Sequence, residues 1–262
     1  MEKAFTSFLT QSVFTIGVII LFGILIGVCN KLFYKNIGIF GKPACYITGF
    51  IGTPIHELSH ALMCLVFGHR IQEIKLFQIS SDDGTLGYVN HSYNKKNIYH
   101  VIGNFFIGVA PITVISLVLY FLSLWLVPNM ASEMFAHTQK ITADAGLWNV
   151  CKCVFLSIGE FFSYAGHGKW WLFLLIGAFL TLHMTLSKAD IKGAWGGLLV
   201  LLLLLLLLDI LFALISVSVL NGFTQFLLSV GGYLTSILML ALIISLVLMG
   251  ISFIFRLIFK RR

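Results

Sequence analysis

Two histidines and a carboxylate, in the run His56-Glu57-Leu58-Ser59-His60, stand inside an otherwise uncharged apolar stretch of this chain. On a helix, residues four apart share a face, so both imidazoles can reach one metal ion. Glu57, beside them, is placed to hold a water and take its proton. Zinc lowers the pKa of such a water to roughly 7, giving a hydroxide able to attack a peptide carbonyl. Glu57 can then hand the proton to the leaving amine. A hydrogen-bonded cluster between helices would account for one buried polar residue, but poorly for three at metal-ligand spacing. The pattern predicts a Zn2+ site.

A hydrolytic zinc normally has three protein ligands and one open position. Four residues elsewhere could supply the third. His69, nine residues after His60, lies about 13 Å further along a helix axis and reads as an interfacial residue. Asp209 falls deep within a later apolar run, roughly 24 Å from its start, and is expected to pair with another helix or line a cavity. Asp190, in Ser187-Lys188-Ala189-Asp190-Ile191-Lys192-Gly193, sits where two apolar runs meet, on the side toward which the His56–His60 helix runs. It is the preferred ligand, although an interfacial acid between Lys188 and Lys192 is the competing reading. His183 is the fallback, against the commoner fate of a lone histidine bonded between helices.

The elements that must position these groups are set by composition. Of 262 residues, 59% are hydrophobic and 10% charged, and mean hydropathy is +0.99. The charges fall in short clusters separated by long uncharged stretches, as in a chain whose solvent is mostly lipid. About 20 apolar residues cross the hydrocarbon core. On that measure the fold class is an all-α polytopic membrane protein of about six spans, near 8–29, 44–68, 99–127, 169–186, 193–219 and 227–255. The first apolar run is longer than a signal-peptide core and reads as a retained span. The low-complexity Leu201–Leu208 run reads as a lipid-facing surface.

Within a single transmembrane domain, 1–262, two connecting segments stand out. Asp82-Asp83-Gly84 between Ile71–Ile79 and Thr85–Tyr93 predicts a membrane-associated β-hairpin over 71–94. Residues 128–168 are more polar and predict a partly ordered extramembrane loop. Six spans place both termini on one side. Eleven of the 17 lysines and arginines lie there, which orients termini and hairpin toward the cytoplasm. The net charge of +7 is therefore a membrane-orienting charge, and no nucleic-acid partner is implied. The five cysteines form no even framework and read as free or packing residues.

Gly52-Thr53-Pro54-Ile55-His56-Glu57-Leu58-Ser59-His60-Ala61 and the following Phe67-Gly68 resemble the site-2 protease family of intramembrane zinc metallopeptidases. That resemblance implies a third zinc ligand from an Asp in a Leu-Asp-Gly motif, to which Ala189-Asp190-Ile191-Lys192-Gly193 is the nearest match, with the glycine two residues further on. It also implies an Asn-containing motif on an intervening helix. Gly103-Asn104-Phe105-Phe106 and Ala110-Pro111 occupy that place, so Asn104 is a candidate for binding substrate or stabilising an oxyanion, with a helix–helix hydrogen bond as the alternative. A β element able to pair with an extended substrate is implied as well, a part the hairpin could play. The implied location is a bacterial plasma membrane.

The resulting expectation is hydrolysis of a peptide bond in or near a substrate's transmembrane segment, with a membrane protein as substrate and the bilayer as surroundings. Two other classes stay open. One is a non-proteolytic metalloprotein, although the remaining histidines are isolated and fit a two-metal histidine-box site poorly. The other is a transporter-like scaffold that keeps a metal without turnover. Substrate identity and oligomeric state are not encoded in any motif.

Overall fold

A computed structural model describes residues 2–79, 85–138 and 147–259. Among the described residues, four helical stretches are long and apolar enough to cross a bilayer: Glu2–Val66, Ile98–Leu126, Lys188–Ile215 and Val217–Phe259. They mark a membrane protein. The 65-residue first stretch is made of α1 (Glu2–Ser12), a π-helical turn, α2 (Val18–Ile37), a 3-10 turn and α3 (Gly41–Val66). It covers the first two expected spans, and α2 gives way to a 3-10 turn at Gly38, whose φ of 57° is open to a residue without Cβ. The expected fourth span is shorter than its apolar run. Its helix, α7, covers only Gly168–Thr181, 14 residues or about 21 Å, less than the hydrocarbon thickness.

The remaining helices are α4 (Ile98–Leu126), α5 (Met130–Thr138), α6 (Leu147–Ser163), α8 (Lys188–Ile215) and α9 (Val217–Phe259). Within 128–168, where a partly ordered extramembrane loop is expected, the described residues form α5 and α6. Polar residues there interrupt an apolar helical spacing that only packing brings out: Met130, Met134 and Phe161 are buried in the main core cluster with Trp170 and Phe173. In that core α4 is central, lined by Phe105, Val109, Ile112, Ile115 and Leu119. The poly-leucine face of α8 stays outside it; Leu203 and Leu207 are each 60% exposed, as a lipid-facing surface requires.

β1 (Arg70–Lys75) and β2 (Tyr88–Ser92) pair antiparallel, Arg70 opposite Ser92 and Lys75 opposite Tyr88, with a bulge between Ile71 and Glu73. The small sheet is the hairpin expected over 71–94; its Asp82-Asp83-Gly84 turn lies outside the described residues. Phe77 and Leu86, just past the strands, lie against Gly49 of α3, and Phe77 meets the Phe50 ring edge-on. The turn-side end of the hairpin therefore rests on the helix that carries the His-Glu motif. Asp209 is fully buried far from that motif in the chain, where it accepts a hydrogen bond from Gln11 Nε2 at 3.0 Å. The same amide donates to Thr224 at 2.8 Å, so this polar group ties α1, α8 and α9 together.

Candidate metal centre

His56 and Glu57 sit on one turn of α3 and His60 on the next. The helical spacing sets the two imidazoles side by side, with Nε2 atoms 3.2 Å apart. Each ring is held by its other nitrogen. His56 Nδ1 donates to the main-chain carbonyl of His183 at 2.7 Å, and His60 Nδ1 donates to that of Ile107, also at 2.7 Å. A carbonyl can only accept, so both rings carry their proton on Nδ1. With both rings neutral, two Nε2 lone pairs face each other at short range, an arrangement that a shared cation relieves. Asp190 Oδ1 lies 3.5 Å from His60 Nε2. The three ligand atoms of His56, His60 and Asp190 all fall within 4.8 Å of one another.

Why these carbonyls are available follows from local chemistry. Pro111 lies inside α4 and has no N–H. The carbonyl four residues earlier, that of Ile107, is thereby released from the helical ladder and receives His60. The His183 carbonyl lies outside the α7 ladder because α7 ends at Thr181 and the chain runs non-helically to Ser187; it accepts from Thr185 N at 3.0 Å as well as from His56. Both releases orient a ligand ring, as partners behind metal-bound histidines commonly do.

Close helix approach brings the third group in. At Gly108 of α4 an added Cβ would lie 2.7 Å from Ala194 Cβ and 2.8 Å from the Asp190 carbonyl oxygen, both on α8. At Gly52 of α3 it would overlap the Phe179 carbonyl and the His183 ring. Asp190 itself is anchored at the start of α8. Ser187 Oγ accepts from Asp190 N at 3.0 Å, and Asp190 Oδ2 accepts from Ser187 N at 2.8 Å, a reciprocal capping box. One carboxylate oxygen is thus spent on the helix start and the other is turned toward His60.

The other candidates are placed differently. His183 contributes its carbonyl, while its ring is occupied elsewhere. Thr48 Oγ1 donates to the Ala44 carbonyl, so it accepts from His183 Nε2 at 3.0 Å, and Thr53 Oγ1 lies 3.4 Å from His183 Nδ1. Asn104 is buried in α4, where its amide donates to the Val101 carbonyl of its own helix at 3.4 Å. His69 and Asp209 lie outside the group. Glu57 is 6% exposed, and its Cγ lies against Gly87 beside the hairpin. The parts missed in the sequence are main-chain ones: the Ile107 and His183 carbonyls and the Ser187 cap. Pro111 inside an apolar run was the available signal.

The donor set, two imidazoles and one carboxylate, fits zinc with a position left open. Residues 49–146 match the family described as DUF3267, Putative zincin peptidase. The match is to a zinc metallopeptidase family. It takes in the His-Glu motif, the hairpin and α4, and stops short of Asp190. No curated protein and no solved structure matches the chain.

Proposed function

We propose that this protein is an intramembrane zinc endopeptidase of the site-2 protease kind, hydrolysing a peptide bond in or near the transmembrane segment of a membrane-protein substrate. The observation that carries the proposal is the convergence of His56 Nε2, His60 Nε2 and Asp190 Oδ1, with both rings oriented by main-chain carbonyls. In this reading His56, His60 and Asp190 hold the metal. Zinc, when bound, supplies the Lewis acidity that makes water nucleophilic at neutral pH. Glu57 takes the proton from the attacking water and returns it to the departing amine nitrogen. Asn104 on α4 and the Thr53 hydroxyl on α3 are polar groups available to a substrate main chain that has unwound locally.

Substrate access is supported by a cavity of about 190 Å3 between α2, α4 and α8 that reaches Asp190. Its lining, including Ile20, Ile24, Leu186, Trp195 and Leu198, is apolar and suits a side chain of a membrane segment. The hairpin beside Glu57 offers strand edges on which an extended substrate could add. The same reading takes Glu2–Val66 as crossing the bilayer twice and α7, extended by the non-helical chain to Ser187, as the remaining one of six crossings, with cytoplasmic termini in a bacterial plasma membrane.

The test is metal content together with turnover. The purified protein should lose one equivalent of zinc in each of His56→Ala and Asp190→Ala. Glu57→Gln should keep the zinc and lose cleavage of transmembrane model peptides containing helix-destabilising residues. A folded parent with no affinity for zinc would sink the proposal.

A further inference from the structure

The C-terminal end of α3 and the strand β2 bring together a second set of donors that the peptidase reading does not use. Cys64 Sγ and ring nitrogens of His69 and His91 lie within 4.8 Å of one another. Cys64 is fully buried, His69 is 4% exposed, and His91 is half-buried. Cys64 follows His60 by one helical turn, so this cluster is adjacent to the first but shares no residue with it.

The orientation of His69 is informative. Its Nε2 donates to the His100 carbonyl at 2.8 Å, which fixes the proton there and leaves Nδ1 as a lone pair. That lone pair is aimed at His91 Nδ1, 3.0 Å away. Tyr93 stacks on the His69 ring at 5.0 Å and 14°, holding its plane. An imidazole whose far nitrogen is pinned to a carbonyl, with its near nitrogen beside a second imidazole and a thiol, has the arrangement of a metal ligand.

We propose that Cys64, His69 and His91 form a second zinc site, structural in role. One sulfur and two imidazole nitrogens suit Zn2+ and exclude the hard cations Mg2+ and Ca2+, which take oxygen ligands. Two nitrogens on a tetrahedral zinc stand about 3.3 Å apart, close to the 3.0 Å found, and the thiol sulfur lies within 4.8 Å of both. On binding, Cys64 releases its thiol proton to solvent and coordinates as thiolate. Water completes the four ligands. The ion would clamp β2 to the end of α3. The hairpin carries Gly87 against Glu57, so the clamp would hold it over the peptidase helix. The competing arrangement is a plain hydrogen bond from His91 to His69 with the thiol as a bystander.

The two are separated by cobalt titration of the metal-free, full-length protein in detergent. A thiolate ligand to Co2+ gives a sulfur-to-metal charge-transfer band in the near ultraviolet, and the His56–His60–Asp190 group contains no sulfur. The expected result is two ions per chain and the band in the parent. Asp190→Asn, which affects only the first site, should keep the band. Cys64→Ala and His91→Ala should each bind one ion and lack it. Should Cys64→Ala fail to fold, His91→Ala and the parent spectrum still decide. A folded parent without the band, or a band that survives either second-site variant at full strength, overturns the proposal. Loss of the first site alone would leave the band in place, so failure of the peptidase reading is read separately.

Discussion

Replacing Pro111 by Ala should weaken zinc binding while leaving the fold as stable as before or more so. The proline lies within α4, and its missing N–H is the reason that the Ile107 carbonyl is open to His60 Nδ1 at 2.7 Å. Alanine restores an N–H four residues after that carbonyl, which then re-enters the helical ladder and competes with His60. A net hydrogen bond is worth about 0.5–1.5 kcal/mol, so losing most of this one corresponds to roughly two- to twelvefold in zinc affinity. Because a carbonyl has two lone pairs and can serve both donors in part, the lower half of that range is expected; mutations behind metal-bound histidines reach 10- to 100-fold only when the partner is removed outright. Stability moves the other way, since proline inside a helix costs about 3 kcal/mol or more. The assay is competition against a chromophoric chelator, with thermal unfolding of the metal-free protein alongside. An unchanged or tighter zinc affinity in a folded P111A variant would refute the argument that the proline frees the carbonyl for the histidine.

Three further outcomes follow from the same geometry. Glu57→Gln should retain zinc, measured by elemental analysis, and lower the cleavage rate by about 10²–10⁴, the usual worth of a positioned base; loss of the metal itself would show that Glu57 acts as a ligand. Gly108→Val should separate α4 from α8, because its Cβ would lie 2.7 Å from Ala194 and 2.8 Å from the Asp190 carbonyl. Overpacking of this kind costs about 1–3 kcal/mol, and zinc affinity should fall with it as Asp190 is drawn from His60; a stable variant with unaltered affinity would contradict that coupling. Asp209→Leu should destabilise the protein by about 1–3 kcal/mol through an unpaired buried N–H on Gln11, with zinc content unchanged. Zinc loss in the milder Asp209→Asn would instead place that residue in a metal site.

Much of this was legible along the chain because it depends on short separations. The pairing of His56 with His60 needs only the helical period. The β-hairpin over 71–94 needs only two strand-like runs and a turn between them. The apolar runs announce a lipid-facing protein whatever their neighbours are, and the leucines of α8 remain exposed as that composition requires.

What lies beside the histidines depended on contacts between residues far apart in sequence. Asp190 and His183 were both admissible third groups. Packing at Gly108 carries the Asp190 carboxylate toward His60, and packing at Gly52 turns the His183 ring to Thr48 and Thr53 while leaving its carbonyl for His56. Residues 128–168 looked like a loop because their polar residues mask an apolar face that only the surrounding helices reveal. By itself, the sequence determined the solvent this protein needs and the helix face that presents two imidazoles, since both are properties of composition and period. Tertiary structure alone decided which carboxylate and which main-chain carbonyls meet those imidazoles, because that turns on how closely glycine lets two helices approach and where a proline leaves an oxygen unpaired.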